Sequence, residues 1–295
     1  MEKVDANVLI AGAGPVGLFA AILLARANIS VTVVESLEAL DSAAKSIAHS
    51  PILLADFKAA GILEDIDTIA LTLTTDIHFR RFSDKSIIAK LPLVLGQPLP
   101  RIISQDQFCA LLYRHTAKYD NVKVLFGHAV EAVDNSATNK VTVTVKTTSG
   151  TSKQFIANYL IGADGGRSTV RNACGIAFEG ETLPHNMLAA DVYYPFDKVG
   201  WTKSANFIID PQHFGMIGPI NDKGLWRVGF NLPEHIVTPE QIAEAVPAEF
   251  ELLFPGPRPL DYKLEWVSRH TPRQLCAQSF RQGRVTLVGD AAHCE

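Results

Sequence analysis

Apolar residues in this chain come in short runs that end in glycine, and the first run sets the pattern. Residues 8–11 are continuously apolar, residues 12–17 read GAGPVG, and an apolar helical pattern follows over residues 18–25. That order predicts strand, tight turn and helix. Residues 30–34 are largely β-branched and predict a second strand closed by Glu35. After a polar stretch, residues 36–50, Pro51 opens a helical pattern carried by Ile52, Leu53, Ala55, Phe57 and Ala60 and stopped by Gly61. The period then changes to two. IHFRRF and SIIAKL, within residues 76–91, predict two strands that leave the first sheet. Ser104 is the expected cap of a helix with Phe108, Leu111, Leu112 and His115 at helical spacing.

Residues 122–126 predict a short buried strand, and residues 141–145 alternate as a half-buried antiparallel ribbon does. Residues 154–162 rebuild an apolar strand that ends at Asp164-Gly165-Gly166, followed by a short helix through Val170 and Arg171 with Gly175 at its far end. From 187 to 232 four extended runs separated by three turns predict an antiparallel meander, a second layer suited to walling a pocket. A helix over 239–246, a proline-rich link over 255–259 and an extended run over 263–268 follow. Residues 284–293, RVTLVGDAAH, repeat strand, glycine, aspartate and the first turn of a helix, and the sequence stops at Glu295. A stable helix needs far more residues than remain there, so a C-terminally truncated chain is expected.

Composition narrows the class. At 295 residues the chain is long enough for two domains or one large discontinuous one, and 47% hydrophobic with 20% charged residues suits an ordinary soluble protein. A net charge of -4 supplies no basic footprint for nucleic acid, and no lysine or arginine run suits an anionic membrane. The apolar N-terminus is interrupted by Gly12, Gly14, Pro15 and Gly17, unlike a signal peptide, and no segment reaches the ~20 apolar residues of a membrane span. Cys109, Cys174, Cys276 and Cys294 have no CxxC spacing, so neither a disulfide framework nor a metal site is expected. A reducing, cytoplasmic compartment fits.

The candidate chemistry begins at the first turn. Between a strand and a helix, Gly12-x-Gly14-x-x-Gly17 is the dinucleotide fingerprint, and Glu35 stands near the ~20-residue offset at which a carboxylate meets a ribose. Gly12 permits the turn, Gly14 keeps a side chain away from a pyrophosphate, and Gly17 lets helix and strand close up. No arginine beside Glu35 receives a 2′-phosphate, so FAD or NAD suits the site better than NADP. Asp164 has two equal readings, a partner for ribose hydroxyls or a turn residue satisfying its own backbone. Lys45 and His49 read as solvated loop residues, Gln105 as surface unless it faces the first turn, and the aromatic residues of 187–232 as core. His293 reads as structural. No GxSxG, HExxH or GxxxxGK[ST] occurs, and no side chain is assigned as catalytic acid, base or nucleophile.

Taken together and in order, Gly12 to Gly17, GADGGRSTVR (162–171) and GRVTLVGDAAH (283–293) resemble the FAD-dependent group A flavoprotein monooxygenases, the aromatic hydroxylases, and most of all their phenol-hydroxylase-like branch. The resemblance implies an α/β fold, a Rossmann-like FAD-binding parallel sheet with an antiparallel β substrate-binding layer. It implies a discontinuous FAD-binding domain over 1–75, 100–180 and 270–295, with 76–99 and 181–269 forming the substrate-binding domain. By the same likeness the turn with Gly12, Gly14, Pro15, Val16 and Gly17, and the acid Glu35, hold the ADP half of FAD. Lys45 stands where the family usually has arginine, near flavin and pyrophosphate. Gln105 reaches the flavin's linking chain, the backbone at Val130 borders the adenine, and Asp164 with Gly165 forms the DG motif that serves FAD and the approach of the nicotinamide nucleotide. Asp290 matches the aspartate of the ribityl or pyrophosphate region. NAD(P)H would reduce the flavin, and a hydroxyl from O2 would pass to an aromatic or polyketide-like substrate. Two alternatives stand beside this one: a truncated, non-catalytic remnant or interaction module that holds FAD or ADP loosely, and another flavin enzyme such as a reductase, oxidase or halogenase. The sequence leaves the oligomeric state open.

Overall fold

The computed structural model of the chain describes residues 3–93, 98–184 and 186–294. The expected domain bounds also take in residues 1, 2, 94–97, 185 and 295, which lie outside the described residues. Five strands pair in parallel in the order Val285–Leu287, Ser152–Gly162, Lys3–Ala11, Val31–Val34 and Val122–Leu125. The strand Arg281–Gln282 adds an antiparallel edge. Val141–Thr147 and His128–Asp134 form the expected ribbon on the first half of Ser152–Gly162.

Continuous apolar character explains why the fingerprint strand is central. Val8 and Ile10 face one side, with Leu18, Ala21 and Ile22 of helix α1 (Pro15–Arg26). Leu9 and Ala11 face the other, with Val141, Val143, Val145 and Phe155 of the ribbon. A strand buried on both faces has no need of a polar alternation. The first side also takes Leu54 and Phe57 of helix α2 (Leu54–Ala59), Ile66 of helix α3 (Leu63–Ile69), and Phe108, Leu111 and Leu112 of helix α4 (Gln105–Thr116). The helical pattern opened by Pro51 and stopped by Gly61 is realised as a 3-10 turn, Pro51–Leu53, running into α2, and Gly61, at φ 73°, turns the chain into α3. Ser104 is the N-cap residue of α4, but its side chain makes no capping bond.

The second sheet has seven strands in the order Lys263–His270, Asn186–Tyr193, Leu225–Leu232, Gly215–Pro219, Asn206–Ile209, Ile77–Arg81 and Ile87–Leu91. The expected four-strand meander is therefore only partly formed. Asn186–Tyr193 pairs with Leu225–Leu232 and Lys263–His270, while Asn206–Ile209 lies parallel to Ile77–Arg81. Between them the chain buries Phe196 and Trp201 in the core of this layer, which carries it across the sheet instead of back along the same strand. Helix α5 (Thr169–Ala173) follows the second motif, and helix α6 (Pro239–Leu253) covers one face of the seven-stranded sheet.

α6 runs well past the predicted end at 246, straight through Pro247. An interior proline costs about 3 kcal/mol, but Phe250 and Leu253 beyond it are fully buried, each worth about 1.5–3 kcal/mol. Burial outweighs the break. Thr238 and Gln241 form a capping box at the other end. After the third motif the chain makes one 3-10 turn, Gly289–Ala291, and then a short strand, His293–Cys294, on Arg273–Ala277. The expected helical start is realised only as that turn.

Candidate functional site

Four strands of the parallel sheet end side by side: Val285–Leu287, Ser152–Gly162, Lys3–Ala11 and Val31–Val34. Asp290, Asp164, the glycine turn and Glu35 follow their carboxyl ends in that order, the edge at which open α/β sheets bind ligands. The turns also touch one another. A Cβ on Gly12, whose φ is 104°, would stand 2.3 Å from the Ala163 carbonyl oxygen, and one on Gly289 would stand 3.0 Å from Val16 Cγ2. Arg171, buried and stacked 3.7 Å over the Phe178 ring, donates to the carbonyls of Gly166 at 2.9 Å and Ala291 at 3.0 Å. It fastens the second turn to the third.

A cavity of about 1030 Å³ lies over these turns. Gly12, Gly14, Pro15, Val16, Glu35, Lys45, Gln105, Val130, Asp164, Gly165 and Asp290 all line it, eleven of the twelve residues singled out from the sequence. Gly17 does not, and its geometry says why: a Cβ there would lie 2.0 Å from the Gly12 carbonyl oxygen, so it serves helix–strand closure. Gly14 is the opposite case. It has an ordinary negative φ, and a Cβ would meet nothing within 4 Å. Neither strain nor crowding asks for glycine at that place, and open space lies where a side chain would be. It is also the N-cap of α1, whose first N–H groups have no intrahelical partners.

Glu35 accepts from the Ala13 N–H at 2.7 Å through Oε2 and from Leu37 N at 2.9 Å and Ser36 Oγ at 3.0 Å through Oε1. Three of a carboxylate's four acceptor positions are taken, and one on Oε2 is left. Asp164 accepts from Ser168 Oγ and, at 3.0 Å, from Val170 N. The carboxylate thereby orders the start of α5, the backbone-satisfying role among the two that the spacing allows, and it also borders the cavity. Asp290 is exposed at the third turn.

Lys45 is solvated as expected, 61% exposed and 2.7 Å from Asp41, and this ammonium holds the Asp41 carboxyl below its usual range. His49 is not a solvated loop residue. Its ring packs 4.4 Å from Phe108, its Nε2 is enclosed without a partner, and burial lowers its pKa. Gln105 reaches the cavity because its N–H donates to the Ser46 carbonyl at 2.8 Å, while Ile103 N donates to Ile47. Cys109, one turn further along α4, also lines the cavity. Burial first, then Asp41 and Asp106, push its thiol up to about 11, so it stands protonated and unreactive.

Sequence reasoning missed what holds the Lys45 loop from the other side. Arg227, buried on Leu225–Leu232, pairs with buried Asp191, Nη2 to Oδ2 at 3.1 Å, and donates to the carbonyls of Lys45 at 2.8 Å and of Ala44. Its guanidinium lies 4.9 Å over Trp266, which lines the cavity with Ala189, Ser268 and His270. Arg171 and Arg227 act on carbonyls 120 and 182 residues away, and no local spacing announces such partners. His293 stacks 6.3 Å from Phe280 and is not among the cavity residues. No group of three or more potential metal ligands occurs among the described residues.

Comparison with known proteins agrees with this arrangement. The family described as FAD binding domain matches residues 5–295. Para-nitrophenol 4-monooxygenase of Pseudomonas sp. (strain WBC-3) is 33% identical over 99% of this chain and 72% of its own length. The 3-(3-hydroxy-phenyl)propionate/3-hydroxycinnamic acid hydroxylase of Comamonas testosteroni is 31% identical over 98% of this chain, which spans 48% of that protein. The chain likewise spans about half the length of further hydroxyphenylpropionate hydroxylases. Among solved structures, p-nitrophenol 4-monooxygenase PnpA from Pseudomonas putida DLL-E4 superposes with a TM-score of 0.92 at 30% identity, covering 100% of this chain and 74% of that one. With the fingerprint turn, the two aspartate turns and the antiparallel wall set around one cavity, and with a family match across almost all its residues, the chain belongs to the FAD-binding domain family of the flavoprotein monooxygenases.

Proposed function

We propose that the chain is an FAD-dependent monooxygenase that hydroxylates an aromatic or similar small organic substrate with NAD(P)H and O2. The observation that carries this reading is the convergence of three strand-end turns and Glu35 on one cavity whose far wall is the second sheet. In this reading 1–75, 100–180 and 270–295 hold the cofactor, and 76–99 with 181–269 hold the substrate. The first N–H groups of α1 and the bare face of Gly14 receive the pyrophosphate. The remaining acceptor position on Glu35 Oε2 receives a ribose hydroxyl. Val130 borders the adenine, and Lys45 and Gln105 flank the linking chain. Asp164 and Gly165 keep the second turn in shape beside it, and Asp290 stands at the third.

When bound, FAD would supply the redox chemistry, hydride acceptance from a nicotinamide and activation of oxygen. The chain's own residues orient the two partners and keep water from the reacting centre. Arg227 and Asp191 hold the loop of Lys45 over the cavity, while Cys109 stays neutral beside it. The purified protein is expected to be yellow, to oxidise NAD(P)H in the presence of a phenolic substrate, and to release the hydroxylated product in proportion. A protein that stays colourless after reconstitution with FAD would overturn the proposal and favour a non-catalytic chain.

A further inference from the structure

Gly14 and Glu35 give the cavity a direction. With a pyrophosphate at Gly14 and a ribose at the open position of Glu35 Oε2, the base of the dinucleotide lies past Glu35. Ser36, Leu37, His128, Ala129 and Val130 line the cavity at that end. The last three open the strand His128–Asp134, and its entry is fastened to the chain leaving Glu35. His128 N–H donates to the Glu35 carbonyl and Gly127 N–H to the Leu37 carbonyl, both at 2.7 Å. Val130 and Ala132 pair with the adjacent residues Val145 and Thr144, so Glu131 between them is an extra residue. Such a bulge bends a strand and re-aims its side chains. His128 and Val130, two apart, share a face just before it.

The polar groups that follow Glu35 are already used. Ser36 gives its O–H to Glu35 Oε1, and Leu37 N–H goes to the same oxygen. Leu37, Ala129 and Val130 have aliphatic side chains. His128 is different. Its Nδ1 lies 2.7 Å from the Phe126 carbonyl oxygen, which can only accept, so in the neutral ring the proton sits on Nδ1. Nε2 is then a bare acceptor. It has no hydrogen-bond partner among the described residues, and unlike His49 Nε2 it is not enclosed by protein. A ring whose tautomer is fixed from behind, and whose other nitrogen is open in a cavity wall, is prepared to receive one hydrogen-bond donor.

We propose that His128 reads the base of the dinucleotide, its Nε2 accepting from the exocyclic amino group of adenine. The inference rests on the flavin reading and names the residue that sets base specificity in that site. Adenine offers an amino donor at the position where guanine and hypoxanthine carry a carbonyl oxygen. A donor there completes the Nε2 acceptor. An oxygen there sets lone pair against lone pair, and the bond to Phe126 keeps the ring from turning to offer Nδ1–H in its place.

The test measures binding of FAD and of flavin hypoxanthine dinucleotide to the apoprotein by calorimetry, beside a thermal melt of each variant. Wild type is expected to hold FAD at least about tenfold more tightly than the hypoxanthine analogue, because a group built to pair rejects a base that cannot. His128→Leu is expected to weaken FAD at least about tenfold and to leave the analogue within about threefold of wild type, so that the two bind alike. A residue that only shapes the strand entry would weaken both together and keep the preference. His128→Gln, whose amide can turn to accept or to donate, is expected to bind both nucleotides with the preference narrowed to within about threefold. It carries the test should His128→Leu fail to fold. Equal affinities in wild type, a preference that survives in either variant, or a parallel loss of both nucleotides would each overturn the inference. A wild-type chain that binds neither nucleotide would overturn the flavin reading instead, and this inference with it.

Discussion

Three glycines of one hexapeptide have three different physical reasons, and only the coordinates separate them. Gly12 is required by φ and by the Ala163 carbonyl, Gly17 by the Gly12 carbonyl, and Gly14 by neither. The consequence is a testable contrast. Gly17→Ala is expected to destabilise the fold outright, because the clash is with backbone and α1 cannot retreat without opening the core against Val8 and Ile10. Gly14→Val is expected to leave the thermal midpoint within a few degrees of wild type and to weaken FAD at least about tenfold, since its side chain projects only into the cavity. Fluorescence titration with FAD beside a thermal melt reads both. A Gly14→Val protein that binds FAD normally would place the pyrophosphate elsewhere. The residue pattern G-x-G-x-x-G with Glu35 was legible in the sequence, as was the presence of Asp164 and Asp290 at strand ends. The use of the Asp164 carboxylate on Val170 N and Ser168 Oγ was not, since an Asp-Gly turn has the same spelling whether it satisfies itself or a ligand.

At the scale of elements, the loop carrying Lys45 is held between two layers. Residues 46 and 47 accept from Gln105 and Ile103, and residues 44 and 45 accept from Arg227. The Arg227–Asp191 pair is buried on both sides. Removing one partner, as in Arg227→Met, leaves an uncompensated buried carboxylate and is expected to cost about 3–5 kcal/mol. Replacing both, Arg227→Met with Asp191→Leu, should recover most of that stability by denaturant titration. It should not recover FAD affinity, because the carbonyls of the loop stay unclamped. Recovery of both together would mean that the pair is merely core. Strands and helices with clean periodicity were legible: α1, α4, the 141–147 ribbon and the two strands at 77–91 stand where the pattern puts them. α3 and the second half of α6 were not. Pro247 reads as a stop signal, and only the sheet beneath shows that burying Phe250 and Leu253 overrides it.

For the whole molecule, the cavity draws its lining from residue 11 to residue 290, so a ligand there is coupled to the folding of nearly every element. Saturating FAD at 100 times its dissociation constant is expected to add about 2.7 kcal/mol to stability. That gain should be seen as a concentration-dependent rise in the melting midpoint, and a midpoint indifferent to FAD would mean that no such coupled site exists. The sequence by itself determined the parallel sheet with its three glycine and aspartate turns, the separate antiparallel layer, and thereby the family, because these rest on local periodicity and on residue types with few conformational choices. Only the tertiary structure decided the order of strands in the second sheet, the clamps made by Arg171 and Arg227, and the enclosure of His49. Those features depend on groups far apart in sequence meeting at hydrogen-bond or van der Waals distance, Asn206–Ile209 beside Ile77–Arg81, Arg171 on Ala291, Arg227 on Lys45 and His49 against Phe108, and which distant partners meet is set by how whole layers pack, a property that no window of sequence contains.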